Sequence, residues 1–598
     1  MRNKRIIGTF HYNKSGLGYV VSKTDEETFV VPLVVSARDG VFDGDTVEIV
    51  CPPEGAYLER GGYGKLIRVV SHARNFVEGT LFHDADGKQY LRPNSYIPFR
   101  VLVKSELASV YSDGDFVLAE IIHPSKAISA LRVRPVKSYG KAETYESALA
   151  FFLDGSPFGN GFSEDAVEQL KSIIRDGAPV SSSDRAMYDT DIFCPVRMPH
   201  CYGDTAFHVW YDDNGCNLDV HILDVDACVP EGSPLEIQAS QRFRGILNSY
   251  ASKYALMPLT LHSSAFNLVT PGVHPTLTLH IKLNLAGYIY SIEPEESMVS
   301  GVVPVPYSVL DNANAMIPDV SVETDKNIRR LIGITKRMAL TRREAGGAPV
   351  RKEKLYYCDA VPSVSATAGP TENCFSELML NIGAAFARIC SKNNIPCLYS
   401  SRPVPVFTPE FDTPLYLRAL TPYCDIYAAN RFNAAYDAVE RSTQKDLLTR
   451  YINFCLPSVE YYDKPVKDTI YALNAYAPLE NPTNNFDAVL QQRFIRAHIR
   501  NEKAPVIDTA ELTERSIRAD ELDRRLRLLA ACKLYKKHSV ANVTLLNDGV
   551  PLVAKTQEGV LADIVIGNSA LGRYSAGSTM RARIKTVSFL KTELSFYL

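Results

Sequence analysis

Along the first quarter of the chain apolar and polar residues alternate with a period of two, interrupted by Gly, Asp and Asn about every 8 to 12 positions. That pattern predicts short strands, among them 28–31 and 117–121. It also repeats. Gly8-Thr9-Phe10 and Asp43-Gly44-Asp45-Thr46-Val47 return as Gly79-Thr80-Leu81 and Asp113-Gly114-Asp115-Phe116-Val117, offset by 71 and 70 residues. Two tandem small β-barrels of the OB type are expected. Helical spacing takes over at 145–152 and 163–174, where Ser163 followed by Glu164 and Asp165 marks a helix start. Strands return between 190 and 310, at 219–223, 276–283 and 288–292, with a helix near 234–250. Residues 322–500 read as mostly helical, with Phe375, Leu378, Met379, Ile382, Phe386 and Ile389 forming one apolar stripe. Asp508 and Thr509 open a long helix over 509–537 that ends in Lys533, Lys536 and Lys537, cations suited to the negative end of a helix dipole. From Val540 onward short strands and glycine turns predict a third barrel. The expected domains are 1–73, 74–138, a central mixed α/β domain at 139–537 with a helical linker at its start, and 538–598, giving a multidomain α+β protein.

Composition narrows the chemistry. In 598 residues, 65 Lys and Arg stand against 68 Asp and Glu, so any nucleic-acid contact must come from local patches rather than a bulk positive field. Twelve scattered cysteines without a CxxC pair suggest reduced thiols and a cytoplasmic location. No secretory h-region or long apolar run is present, so no membrane association is expected. GxSxG, GxxxxGK[ST] and HExxH motifs are absent, which removes serine hydrolase, P-loop and zincin readings. His200, Cys201, Asp204 and His208 could ligate zinc, but their spacing matches no standard site, and no metal is expected there. Residues 10–20 interleave Phe10, Tyr12 and Tyr19 with Lys14 and turn glycines, an arrangement that would stack bases on exposed rings, or else form an ordinary hairpin with half-buried aromatics. The segment holding Lys326, Arg329, Arg330, Lys336, Arg337, Arg342 and Arg343 would either line an RNA channel or form a solvated helix face.

Two barrels, a large α/β centre and a terminal barrel resemble the ribonuclease II / ribonuclease R (RNB) family of 3′-to-5′ exoribonucleases. The local sequence carries the same resemblance. Residues 218–226 with Val229-Pro230-Glu231-Gly232-Ser233-Pro234-Leu235 and 239–242 look like the family's LxVAIADVSxxVxxGSxLDxxAxxR segment. Met257-Pro258 resembles its MLP, 375–383 its EExMxxAN helix, and 475–493 its YxxxTSPIRRYxDxxxHR segment. The family holds Mg²⁺ in D-x5-D-x-D-D-A, because hydrolysing a phosphodiester requires hard oxygen ligands beside the attacking water and the leaving oxygen. Here only Asp204 remains, and Val196, Tyr202 and Thr205 occupy the other three positions. The family's arginine pair, whose first member contacts phosphate, is replaced by Asn484 and Asn485, whose amides cannot supply a charge-assisted fork. Arg493 and Glu377 are kept, while Ser376, Ala488 and Gln492 replace other family positions. Tyr250 falls near the family's base-stacking tyrosine.

These readings leave three functions. The first is a single-stranded RNA-binding pseudo-exoribonuclease, without cofactor, using Phe10, Tyr12, Tyr19, Tyr250, Arg329, Arg330, Arg337 and Arg493, with other RNA-processing proteins as further partners. The second is an active exoribonuclease whose relocated Mg²⁺ site draws on Asp191, Asp204, Asp224 and Asp226. The third is a protein scaffold without RNA affinity.

Overall fold

The computed structural model describes residues 5–12, 17–23, 28–35, 39–51, 63–94, 100–104, 111–122, 132–180, 184–197, 202–213, 215–246, 254–350, 355–358, 361–364, 369–403, 457–535, 539–546, 552–556, 560–565 and 574–597. In the N-terminal sheet the strands run in the order Thr28–Leu33, Gly18–Lys23, Arg5–Tyr12, Thr46–Val50, Lys65–Ser71, and a lone parallel bridge from Leu33 to Gly64 brings the two outer strands together. The next five strands, Phe76–His83, Gln89–Pro93, Val101–Val103, Asp115–Ile122 and Arg132–Lys141, close into a barrel. Its third and fifth strands pair in parallel, as befits the five-stranded Greek-key barrel of the OB fold. Strand alternation puts Val77, Leu81, Leu91, Val117, Ala119 and Val133 inside. The helix Tyr145–Leu153 follows, its Phe151 ring 5.1 Å from that of Phe116.

The repeated Asp-Gly-Asp is a turn with the same hydrogen bonds in both copies. Asp43 Oδ1 accepts from the Tyr12 amide at 3.0 Å, and Asp113 Oδ2 accepts from the His83 amide at 3.0 Å. The Gly44 and Gly114 amides donate to Phe10 and Leu81 carbonyls, each at 2.8 Å, with φ of 90° and 81° that favour glycine. A third closed barrel, from Val540–Leu545, Leu552–Thr556, Leu561–Val565, Thr579–Ser588 and Glu593–Tyr597, repeats the device: the Gly577 amide donates to the Leu545 carbonyl at 2.8 Å with φ 83°.

The central domain is a seven-stranded mixed sheet in the order Ala186–Tyr188, Ile289–Val299, His274–Leu283, Gly215–Leu223, Thr205–Asp212, Phe193–Val196, Val303–Pro306. On one face Leu218, Val220, Leu279 and Ile281 join Ile328 and Leu331 of the helix Val322–Glu344 and Leu378 and Ile382 of the helix Pro370–Asn393 in one buried cluster. The period of two on the strands meets the helical stripe, which is why the 375–389 pattern is apolar on one side only. A second cluster gathers Val196, Ala206 and Leu223 with Leu235, Phe486, Val489 and Leu512. The 322–500 stretch is not continuously helical. A hairpin of Leu355–Cys358 and Val361–Val364, and the pair Tyr399–Ser401 with Glu460–Tyr462, interrupt it, and those segments are rich in Tyr and Val, which suit strands. The helix Pro234–Arg242 is shorter than expected, ending where Phe243 takes φ 66°. The long helix is Thr509–Lys533, with Asp508 accepting from the Ala510 and Glu511 amides at 3.0 and 3.1 Å. Lys536 and Lys537 lie outside the described residues. Among the described residues no helix is long and apolar enough to cross a membrane.

Candidate active site

The positions that the resemblance assigns to the family's carboxylates and arginine pair fall at the junction of three elements: the strand Phe193–Val196, the start of the strand Thr205–Asp212, and the turn that precedes the helix Phe486–Ile499. Backbone bonds fix that turn, for the Gly245 amide donates to the Asn484 carbonyl at 2.9 Å and the Phe486 amide to the Phe243 carbonyl at 2.9 Å. Asn481 takes φ 59°, a left-handed conformation that asparagine tolerates. These bonds bring Thr483 onto Asp204. Thr483 Oγ1 donates to Asp204 Oδ2 at 2.7 Å, Thr205 Oγ1 donates to Oδ1 at 3.2 Å, and the Tyr202 hydroxyl donates in turn to Thr483 Oγ1. A chain of hydroxyls therefore joins strand and turn through the Asp204 carboxyl. Burial pushes the Asp204 carboxyl above its ordinary value against the pull of the Thr483 bonds, and the Glu480 charge adds to the rise. Val196 is buried in the second core cluster. Asn484 points at Gly245, where a Cβ would come within 1.9 Å of Asn484 Oδ1.

Beside this junction lies a cavity of about 130 Å³ lined by Tyr202, Asp204, Thr205, Arg197, Glu372 and Glu480 among others. Arg197 Nε donates to Glu372 Oε1 at 2.7 Å, while Glu372 Oε2 has no hydrogen-bond partner among the described residues. Glu377, kept from the family's helix, is turned away into a buried fork with Arg342, Nε to Oε1 at 2.6 Å and Nη2 to Oε2 at 2.7 Å.

The Mg²⁺ that the resemblance implies does not fit these donors. An apolar Val196, a phenol, a hydroxyl and one buried, hydroxyl-bonded carboxyl cannot replace four ionised carboxylates around a hard cation. Among the described residues no group of three or more His, Cys, Asp or Glu side chains could hold a metal ion. The other carboxylates of the relocated-site reading are taken up by other partners. Asp191 accepts from Thr324 Oγ1 at 2.7 Å, Asp224 pairs with Arg185 at 2.8 Å and with Arg496, and Asp226 pairs with Arg493 at 2.6 Å and with Arg496. His200 and Cys201 lie outside the described residues.

The candidate RNA-binding side chains separate into three groups. Phe10, Tyr12 and Tyr19 are buried, and the Phe10 and Tyr12 rings meet edge to face at 4.8 Å, which corrects the expectation of exposed stacking rings: residues 10 and 12 share the inward face of their strand. Arg493 is buried between Asp226 and Glu236, and Arg329 is bonded to Asp325 at 2.9 Å and to loop carbonyls, so carboxylates already neutralise both. Arg330 and Arg337 remain exposed on the helix Val322–Glu344. Tyr250 lies outside the described residues. Thr483, Arg197 and Glu372 were not singled out from the sequence, since their partners lie 279 and 175 positions away and no local pattern announces them.

Residues 193–501, more than half of the chain, match the RNB domain model. The fold is similar to the apo form of Mycoplasma genitalium RNase R, with a TM-score of 0.68 at 13% identity, covering 99% of this chain and 100% of that one. The same RNase R in complex with ribose-methylated single-stranded RNA gives 0.68 at 14%, again covering 99% and 100%. Yeast Ssd1, described as a pseudonuclease, gives 0.60 at 14%, covering 91% of this chain and 76% of that one. No curated protein matches. With the domain model covering most of the central sheet and its flanking helices, and the barrel order preserved around it, the chain belongs to the RNB family.

Proposed function

We propose that this RNB protein binds single-stranded RNA and does not hydrolyse it. The observation that carries the reading is the commitment of Asp204: a buried carboxyl, raised in pKa, with both oxygens accepting from threonine hydroxyls. Such a group does not ligate a hard cation, and among the described residues no set of three or more His, Cys, Asp or Glu side chains could hold one. A metal ion supplies several kcal/mol in phosphoryl transfer, so losing the cage together with the arginine pair costs on the order of 10⁴-fold or more in rate. RNA affinity is supported by the shared architecture, since the RNase R of similar fold is seen with single-stranded RNA and Ssd1 keeps that fold as a pseudonuclease. The protein works without a metal cofactor in this reading. Free thiols at Cys51, Cys216 and Cys228, among others, accord with a cytoplasmic setting, where other RNA-processing proteins are further partners.

The test is an incubation of the purified protein with labelled single-stranded RNA and Mg²⁺ or Mn²⁺, beside a binding titration at several salt concentrations. The expected result is a saturable, salt-dependent shift with no release of nucleotides. Processive release that disappears in Asp204→Asn restores the exonuclease reading. The scaffold reading takes over if no shift occurs at low salt.

A further inference from the structure

The strand that starts beside Asp204 reaches Tyr211, its penultimate residue, about 20 Å away at the opposite end of the central sheet. Two hairpin tips meet arginines there. Arg330 lies over the Tyr211 ring at 3.9 Å, and Arg337, also close enough to influence the Tyr211 hydroxyl, donates to the Leu285 carbonyl through Nε at 3.0 Å and Nη2 at 2.7 Å. From the helix Pro370–Asn393, Arg388 lies over the Tyr288 ring at 4.9 Å and donates to the Tyr288 hydroxyl at 2.8 Å. Rings and carbonyls orient these three guanidinium groups, and none of them has a carboxylate partner among the described residues. Of the two acids in the neighbouring turn, Asp212 directs its oxygens to the Gly215 amide and the Asn217 side chain, and the exposed Asp213 forms no ion pair with these arginines. The ring of Tyr288 is 57% exposed.

Guanidinium groups without a carboxylate partner, fixed beside aromatic rings of which Tyr288 is exposed, have the chemistry of single-strand recognition, in which the cation meets phosphate and the ring stacks a base. We propose that the Arg330–Arg337–Arg388 surface, with Tyr288, is a site for single-stranded RNA remote from the degenerate active site. It rests on the RNA-binding reading and assigns that binding a place.

Binding is read by the fluorescence anisotropy of a labelled, unstructured RNA of roughly 20 nucleotides. Wild-type protein is expected to raise the anisotropy saturably, and an unlabelled acidic peptide is expected not to displace the RNA. Replacing all three arginines with Gln should flatten the logarithmic salt slope by about 2, from three phosphate contacts of about 0.7 each. Replacing them with Lys should keep the slope, because the charge is retained. Tyr288→Ala should weaken binding roughly 5- to 150-fold with the slope unchanged. Thermal melting of each variant separates lost contacts from lost folding. The site assignment is overturned by a Gln variant that binds as wild type, by a Lys variant that flattens the slope as much as Gln, or by an acidic peptide that displaces the RNA as well as unlabelled RNA does. Wild-type protein without any shift overturns the RNA-binding reading itself, a distinct outcome.

Discussion

Burial governs the titration of Asp204. In the unfolded chain its carboxyl titrates near its ordinary value of 3.8, and in the folded chain desolvation lifts it above that value against the hydrogen bonds of Thr483 and Thr205. An acid with a raised folded pKa binds its proton more tightly when folded, so its contribution to stability is lost as pH rises from 3.8 through the raised value and stays lost above it. Asp204→Asn has no proton to lose and keeps an oxygen to accept from Thr483. Its stability relative to wild type is therefore expected to improve as pH rises from about 3 to 7, measured as the difference between urea midpoints at each pH. A variant that falls further behind at pH 7 than at pH 3 contradicts the buried-acid account. At this scale the losses were legible in sequence, because replacing a carboxylate by Val196 or Thr205 changes chemistry without reference to distance. What filled the space was not. The Tyr202–Thr483–Asp204 chain depends on a strand and a turn brought together from far apart in sequence.

Elements show the same division between local and distant information. The Asp-Gly-Asp turn could be read twice because each copy states it in the same residues, with Asp43 and Asp113 accepting equivalent amides. In the third barrel Ala576-Gly577-Ser578 stands at the corresponding turn, and the glycine bond to Leu545 is kept while the carboxylates are gone, so the backbone requirement outlives the side-chain signal. Burial of Phe10 and Tyr12 was likewise beyond a pattern that marks which residues alternate but not which face is inward. The helices Val322–Glu344 and Pro370–Asn393 are joined by the Arg342–Glu377 fork, whose side chains are 4% and 5% exposed. A buried pair repays little net stability, yet breaking it strands a charge. Arg342→Met is expected to cost about 3 to 5 kcal/mol, and Arg342→Met with Glu377→Leu to recover more than half of that loss in urea unfolding. A double variant no better than the single one would show that the fork holds the helices by more than charge compensation.

Across the whole molecule the order of barrels and central sheet was visible because each has its own periodicity, and the family resemblance followed from motif order more than from any one motif. The residues at the positions that the resemblance assigns to the catalytic centre belong to that whole as well, for they are part of the packing. Val196 belongs to the same buried cluster as Ala206, Leu223 and Phe486. The Tyr202 ring packs 5.1 Å from that of His262, and Asn484 fills the space over Gly245. Val196→Asp alone would put an unpaired carboxylate into an apolar cluster, costing about 3 to 5 kcal/mol, a large fraction of the stability of a typical domain. Asn484→Arg must find room for a longer side chain where even a methyl group on Gly245 would overlap Asn484. Restoring the family's residues with Val196→Asp, Tyr202→Asp, Thr205→Asp and Asn484→Arg together is therefore expected to lower the melting temperature sharply without creating Mg²⁺-dependent nucleotide release. Melting and nuclease assays on the same preparation decide it: a stably folded quadruple variant that degrades RNA with Mg²⁺ would mean that the surrounding core still accommodates the cage.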